Sequence, residues 1–341
     1  MGGLMVGAQV LRLLTVLLLL CIAIPPAAAQ TSGNPPGNSL GNTSDSQFWR
    51  DIRRGNVGNV SIPDQQAAVL VQSEGDNWRA WRNGPVSTYG AWFLGGVLVA
   101  LALFFLIRGR IRVDAGLSGR LVRRFTGLER LGHWLTAGAF IILALTGLNL
   151  LFGKYVLMPV IGKSAFAAVT LVGKYLHHGA GFAFMAGLGL ISLLWAKDNI
   201  WDRYDFGWIL KGGGLLVKGK HPPARKFNFG QKTQFWVVIL VGVALSSSGL
   251  ALMFPFEVTD LLGQQIVQIA HVVLALLNIG AIFGHIYIGT IGMEAAASAM
   301  TSGYVDYNWV KEHHSVWVKE QEQAGTLVEQ EPTLGDAQPA E

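Results

Sequence analysis

Residues 271–285 read HVVLALLNIGAIFGH, an apolar stretch closed by a histidine at each end. An α-helix turns 100° and rises 1.5 Å per residue, so fourteen positions bring His285 back to within ~40° of His271, roughly 21 Å along the axis. One helix face thus presents an imidazole near each boundary of ~30 Å of hydrocarbon. Ionisable side chains at such depths are costly, and their default reading is functional.

The rest of the chain supports a membrane setting. Of 341 residues, 51% are hydrophobic and only 14% are charged, and the mean hydropathy is +0.40; a soluble domain carries nearer a quarter charged residues. The net charge of +5 sits in loops beside apolar runs, which fits topology determinants rather than a nucleic-acid surface. Cys21 is the only cysteine and no CxxC occurs. Cysteine-held iron–sulfur clusters, cysteine zinc sites and covalent haem are therefore excluded.

Residues 1–29 fit a cleavable signal peptide: Arg12, the apolar run Leu13 to Ile24, Pro25-Pro26, then Ala27-Ala28-Ala29 before Gln30. Residues 30–88 are polar and rich in Gly, Ser, Asn and Pro, and are expected to be extracytoplasmic with little core. Five apolar segments follow, near 91–107, 131–151, 176–195, 235–254 and 266–290. These give an all-α integral membrane fold: an extra transmembrane helix at 89–107, a membrane domain at 108–291 with four helices, and a cytoplasmic tail at 292–341. The loops at 108–130 and 197–232 hold most of the cations, whereas the other two loops hold Lys154 and Lys163 or none. The positive-inside rule places both basic loops and the C-terminus in the cytoplasm and the mature N-terminus outside.

That topology pairs the histidines by depth. The helix of His133 enters from the cytoplasm, and the helices of His177 and His271 enter from outside. His177 and His271 then lie near the outer face, His133 and His285 near the inner face. Each pair suits bis-histidine ligation of one b-type haem iron, six-coordinate and fitted to electron transfer. A lone membrane histidine is as readily an interhelical hydrogen bond, but four paired by depth make two non-covalent haems the stronger expectation. His178 adjoins His177; only one can face a given iron, and His177 is preferred. Gly132, Gly179, Gly181, Gly280 and Gly284 accompany these histidines, either admitting a macrocycle or serving helix packing.

FNFGQKTQFW, residues 227–236, opens the fourth of these segments. Asn228 and the backbone at Gly230 offer hydrogen bonds to a quinone. A helix N-cap by Asn228, with Lys232 and Trp236 as interfacial anchors, explains the same residues.

RLGHWLTAGAFIILALTG, KYLHHGAGFAF, KFNFGQKTQFW, the H-x13-H helix and EHHSVWVKE together resemble the gamma (cytochrome b) subunit of membrane-bound formate dehydrogenases, in order, over about residues 125–320. The resemblance implies a dihaem four-helix bundle, with His133, His177, His271 and His285 as iron ligands and a quinone near Asn228 and Gly230. It implies an alpha partner with a molybdenum or tungsten pterin, an iron–sulfur beta partner, a bacterial inner membrane, and room for a higher oligomer. It makes this chain the carrier of electrons to quinone, with formate oxidised on a partner. The region 30–107 is an extension beyond that core. The nearest alternative is the cytochrome b subunit of a nickel–iron hydrogenase or thiosulfate-type reductase. A transporter or structural subunit with packing histidines is a different class, separated by a reduced-minus-oxidised spectrum.

Overall fold

The computed structural model describes residue 54 and residues 75–214, 219, 221–255 and 257–330. The expected signal peptide and most of the 30–88 segment lie outside these residues. Among the described residues, five helices are long and apolar enough to cross a membrane.

The first begins earlier than the hydropathy suggests. Helix α1 (Gly75–Trp81) runs through a π-turn (Arg82–Val86) into α2 (Ser87–Arg108). The polar residues Asn77, Arg79, Arg82 and Asn83 hide this helix from an apolar window. Pro85 lies in the π-turn, where the wider ladder accommodates its missing N–H. Residues 75–88, within the segment expected to be polar with little core, are helical. Helix α2 docks on α7 (Leu261–Tyr287) through two glycine notches. A Cβ at Gly90 would stand 2.6 Å from Leu276, and one at Gly280 would stand 2.6 Å from Phe93. Gly280 thus serves helix packing. The other side of α2 faces outward, with Trp92, Leu106 and Ile107 exposed as lipid-facing side chains would be.

Helices α3 (Gly127–Val156) and α4 (Met158–Trp195) form a tight antiparallel pair. A Cβ at Gly187 would meet the Thr136 backbone at 2.9 Å. Helix α4 is interrupted by a kink at Gly162 (φ +80°) and from there runs to Trp195, well beyond the expected 176–195, because Lys163, Ser164 and Lys174 interrupt the apolar run without ending the helix. Helix α6 (Phe229–Met253) packs between α4 and α7.

At one end of the bundle, three distant segments build a folded cap. Strand β1 (Leu121–Arg123) is the centre of an antiparallel sheet, between β2 (Tyr304–Asp306) and β3 (Glu329–Gln330), with Val122 opposite both Val305 and Glu329. Helices α8 (Tyr307–His313) and α9 (Ser315–Gln323) close over it. Val122, Val305, Val310 and Val318 are fully buried, each contributing about 1.5–3 kcal/mol by leaving water. The backbone N–H groups of Val316 and Trp317 donate to the Ala224 carbonyl, and His314 Nδ1 donates to that of Arg225 at 2.7 Å. What reads as a polar tail is thus a packed cap through residue 330. Burial pulls the Arg124 guanidinium down to about 9 and the His313 imidazole to about 4, and pushes His314 further below its ordinary value. The described cations of the two basic loops also lie at this end.

Lys232 departs from its expected place at the lipid boundary. Its ammonium is buried between the carboxylates of Asp202 and Asp205, at 3.0 and 2.8 Å. Asp202 and Asp205 also form the capping box of α5 (Arg203–Leu210), so Lys232 ties the loop helix to the start of α6. It does not anchor at the interface.

Candidate functional site

Helices α3, α4, α6 and α7 enclose two histidine pairs. The rings of His133 (α3) and His285 (α7) have centroids 6.1 Å apart, at the cap end. Those of His177 (α4) and His271 (α7) are 6.3 Å apart, toward the far end. A direct N–H···N bond of about 2.9 Å would bring the ring centres to roughly 5.1 Å. Two imidazoles on opposite sides of one metal, each nitrogen about 2 Å from it and about 1.1 Å from its own ring centre, sit roughly 6.2 Å apart. Both pairs match the second distance. The ring of His178 packs edge-on against Tyr175 instead.

At the far-end pair, hydroxyls fix the imidazoles. Thr146 Oγ1 lies 2.8 Å from His177 Nδ1 and 2.6 Å from the Ile142 carbonyl. Ser248 Oγ lies 2.8 Å from His271 Nδ1 and 2.7 Å from the Ala244 carbonyl. A hydroxyl has one proton, and a carbonyl can only accept. The hydroxyl therefore donates to the carbonyl four residues back and accepts from Nδ1–H. The remaining nitrogen of each ring, Nε2, is unprotonated and free to bind metal. The neighbouring Gly147 and Gly249 keep space beside the rings: a Cβ at either would come 3.5 Å from the Cε1 of His177 or His271.

The space between these rings is a cavity of about 380 Å³, lined mainly by Leu, Phe, Met, Val and Ala side chains. A Cβ at Gly181, on its wall, would meet nothing within 4 Å. An apolar slot with an imidazole on either side fits a flat macrocycle. The cap-end pair carries a complementary sign: His133 Nδ1 is buried without a hydrogen-bond partner among the described residues. Gly284 leaves open space, whereas a Cβ at Gly132 would press on Ile191 and Leu190 at 3.2–3.3 Å, a packing role. Asn278 lies seven residues from each histidine of α7, hence on their face; it is buried, with neither amide atom partnered among the described residues.

A family model described as prokaryotic cytochrome b561 matches residues 124–303, which hold both histidine pairs. The chain belongs to the prokaryotic cytochrome b561 family. Membership brings haem b with it, and the two pairs are the side chains that fit it. Among similar proteins are the formate dehydrogenase cytochrome b556(fdo) subunit of Escherichia coli K12, 29% identical over 58% of this chain and 92% of that protein, and the nitrate-inducible formate dehydrogenase cytochrome b556(Fdn) subunit of the same strain, 26% identical over 63% and 98%. The formate dehydrogenase cytochrome b556 subunit of Haemophilus influenzae is 25% identical over 62% and 87%.

Asn228 and Gly230 lie at the cap end, at the start of α6. Asn228 is the N-cap: its Oδ1 accepts from Gln231 N at 3.0 Å, and Gln231 Oε1 accepts from Asn228 N at 3.1 Å. Asn228 Nδ2 has no acceptor among the described residues. Gly230 is in the first turn, where an N–H has no partner four residues back. Trp208 roofs it, 3.1 Å from the position of a Cβ. Cap and ligand readings thus use different atoms of the same residues. The hydroxyls of Thr146 and Ser248 were missed by the sequence reading; their signal is a repeated hydroxyl-Gly-Leu, residues 146–148 and 248–250.

Proposed function

We propose that this chain is the membrane cytochrome b subunit of a formate dehydrogenase complex, holding two b haems, one near each face, and passing electrons to membrane quinone. The observation that carries it is the pair of ring separations, 6.1 and 6.3 Å, at two depths of one bundle. The three similar proteins named as formate dehydrogenase subunits favour that partner over a hydrogenase or thiosulfate-type reductase. The complex would add a pterin-bearing alpha subunit and an iron–sulfur beta subunit.

The cap end holds the basic loops, which supports a cytoplasmic cap and a periplasmic far end in a bacterial inner membrane. Residues 1–29 would be removed on export. Haem iron, when bound, supplies one-electron carriage. His177 and His271 would hold the outer haem, with Thr146 and Ser248 setting their tautomers; His133 and His285 would hold the inner one. The apolar walls of the far-end cavity would exclude water from the outer one. Asn228 Nδ2 and the Gly230 N–H would donate to quinone oxygens near the inner site.

The test is haem analysis of the purified chain with its histidine variants. Two non-covalent haems b per chain are expected, with His271→Ala losing the outer one and His285→Ala the inner one. Cross-pair doubles such as His133→Ala/His271→Ala should keep no intact low-spin haem. A single haem in fully loaded wild type, or an intact one in the cross-pair double, would overturn the reading. Co-purification with formate-oxidising subunits tests the complex.

A further inference from the structure

The far-end cavity carries a polar rim at its edge away from the cap. Lys174 and Gln268 each precede a histidine of the pair by three residues, one helical turn farther from the cap. On a helix such positions share a face. Arg82 completes the rim from the π-turn ahead of α2. Its Nη2 donates to the Leu150 carbonyl and its Nη1 to Asn83 Oδ1, both at 2.9 Å. Beside it Trp78 Nε1 donates to Gln268 Oε1 at 3.0 Å. Trp78 and Arg82 both come from the added N-terminal helix, which precedes the family match at residue 124.

A b-type haem is flat and apolar except for two propionate carboxylates on one edge. Burying an unpaired carboxylate in the apolar part of this slot is prohibitively costly. The cavity lining includes two cations, Arg82 and Lys174, and no carboxylate among the described residues. Both partners of Arg82 above are neutral oxygens, so its charge is available, and a guanidinium fork suits a carboxylate. We infer that Arg82 and Lys174 bind the propionates of the haem held between His177 and His271, so that the added helix is part of that haem site. This rests on the reading of that pair as a haem site.

The experiment is redox titration of the full-length protein, with the outer haem assigned by its absence in His271→Ala. In Arg82→Gln the outer haem should stay bound but favour the ferric state about tenfold more, a shift of about 59 mV downward for a one-electron couple. Losing a cation beside the carboxylates leaves more negative charge near the iron, which stabilises its oxidised form. Lys174→Gln should move the same haem in the same direction, Arg82→Lys should restore much of the potential, and the inner haem should not move. An unchanged outer potential in both glutamine variants would overturn the inference with the haem site standing. Equal shifts of both haems would also overturn it. If Arg82→Gln sheds the outer haem, retention by Arg82→Lys supports the charge role and loss by both overturns it. Wild type without an outer haem would remove the underlying reading as well.

Discussion

Replacing Ser248 with alanine removes one atom and tests the logic of the outer site. The hydroxyl proton is committed to the Ala244 carbonyl, so Ser248 serves His271 only as an acceptor. The alanine variant leaves the Nδ1–H of His271 beside apolar walls. A buried donor without a partner costs about 1–3 kcal/mol. Loss of a partner that orients a metal-binding histidine typically weakens metal affinity 10–100-fold, about 1.4–2.8 kcal/mol, and the two estimates agree. Haem transfer from purified protein to excess apo-globin reads the effect. The outer haem should leave with 10–100-fold weaker retention, and the inner haem at its wild-type rate. A less basic imidazole stabilises ferric iron less, so the outer potential should also rise. Ser248→Thr, which keeps the hydroxyl, should behave as wild type. Equal retention of the outer haem in Ser248→Ala and wild type would refute the assigned tautomer and the role of Ser248.

At Asn228, leucine should slow quinone reoxidation of the reduced haems while formate still reduces both, and the lost N-cap should lower stability by about 1 kcal/mol. Asn228→Asp keeps an oxygen for the cap but lacks the Nδ2–H donor; stopped-flow reoxidation at the wild-type rate in that variant would return residues 227–236 to a helix start. Lys232→Met strands the carboxylates of Asp202 and Asp205 and should destabilise the protein by about 3–5 kcal/mol, read as thermal unfolding in detergent. Adding Asp202→Asn and Asp205→Asn should recover much of that loss. In the cap, burial holds His313 near 4 against an ordinary 6.5, so unfolding binds a proton in that interval. Its contribution is complete above pH 6.5 and lost as pH falls toward 4, about 3 kcal/mol in all. Protease sensitivity of residues 304–330 should rise across that window, and less so in His313→Gln.

The pairing of the histidines was legible because two simple regularities fix it: helix rotation between His271 and His285, and loop charge that sets which end of each helix is which. The hydroxyls were not legible in the same way. Serine and threonine in apolar helices commonly bond their own backbone, and whether the oxygen then meets a ring on another helix is decided by packing. Lys232 reads as an interfacial cation because its partners Asp202 and Asp205 lie far upstream. Hydropathy stops at residue 89 because these polar residues dilute the average, although the helix starts at Gly75. The cap escapes notice for a further reason: its strands are two or three residues long and pair across most of the chain.

That last property bears on how the molecule is made. Val122, in the central strand, pairs with Val305 and Glu329, residues synthesised after the last four membrane spans. The strand stays unpartnered until residues 304–330 have been made. Closure of the sheet then brings residues 304–330 over the ends of α3 and α4, so it reports that the final span has inserted in the correct sense. A misoriented last helix would leave β1 without either neighbour, presenting an open strand edge to proteases and chaperones.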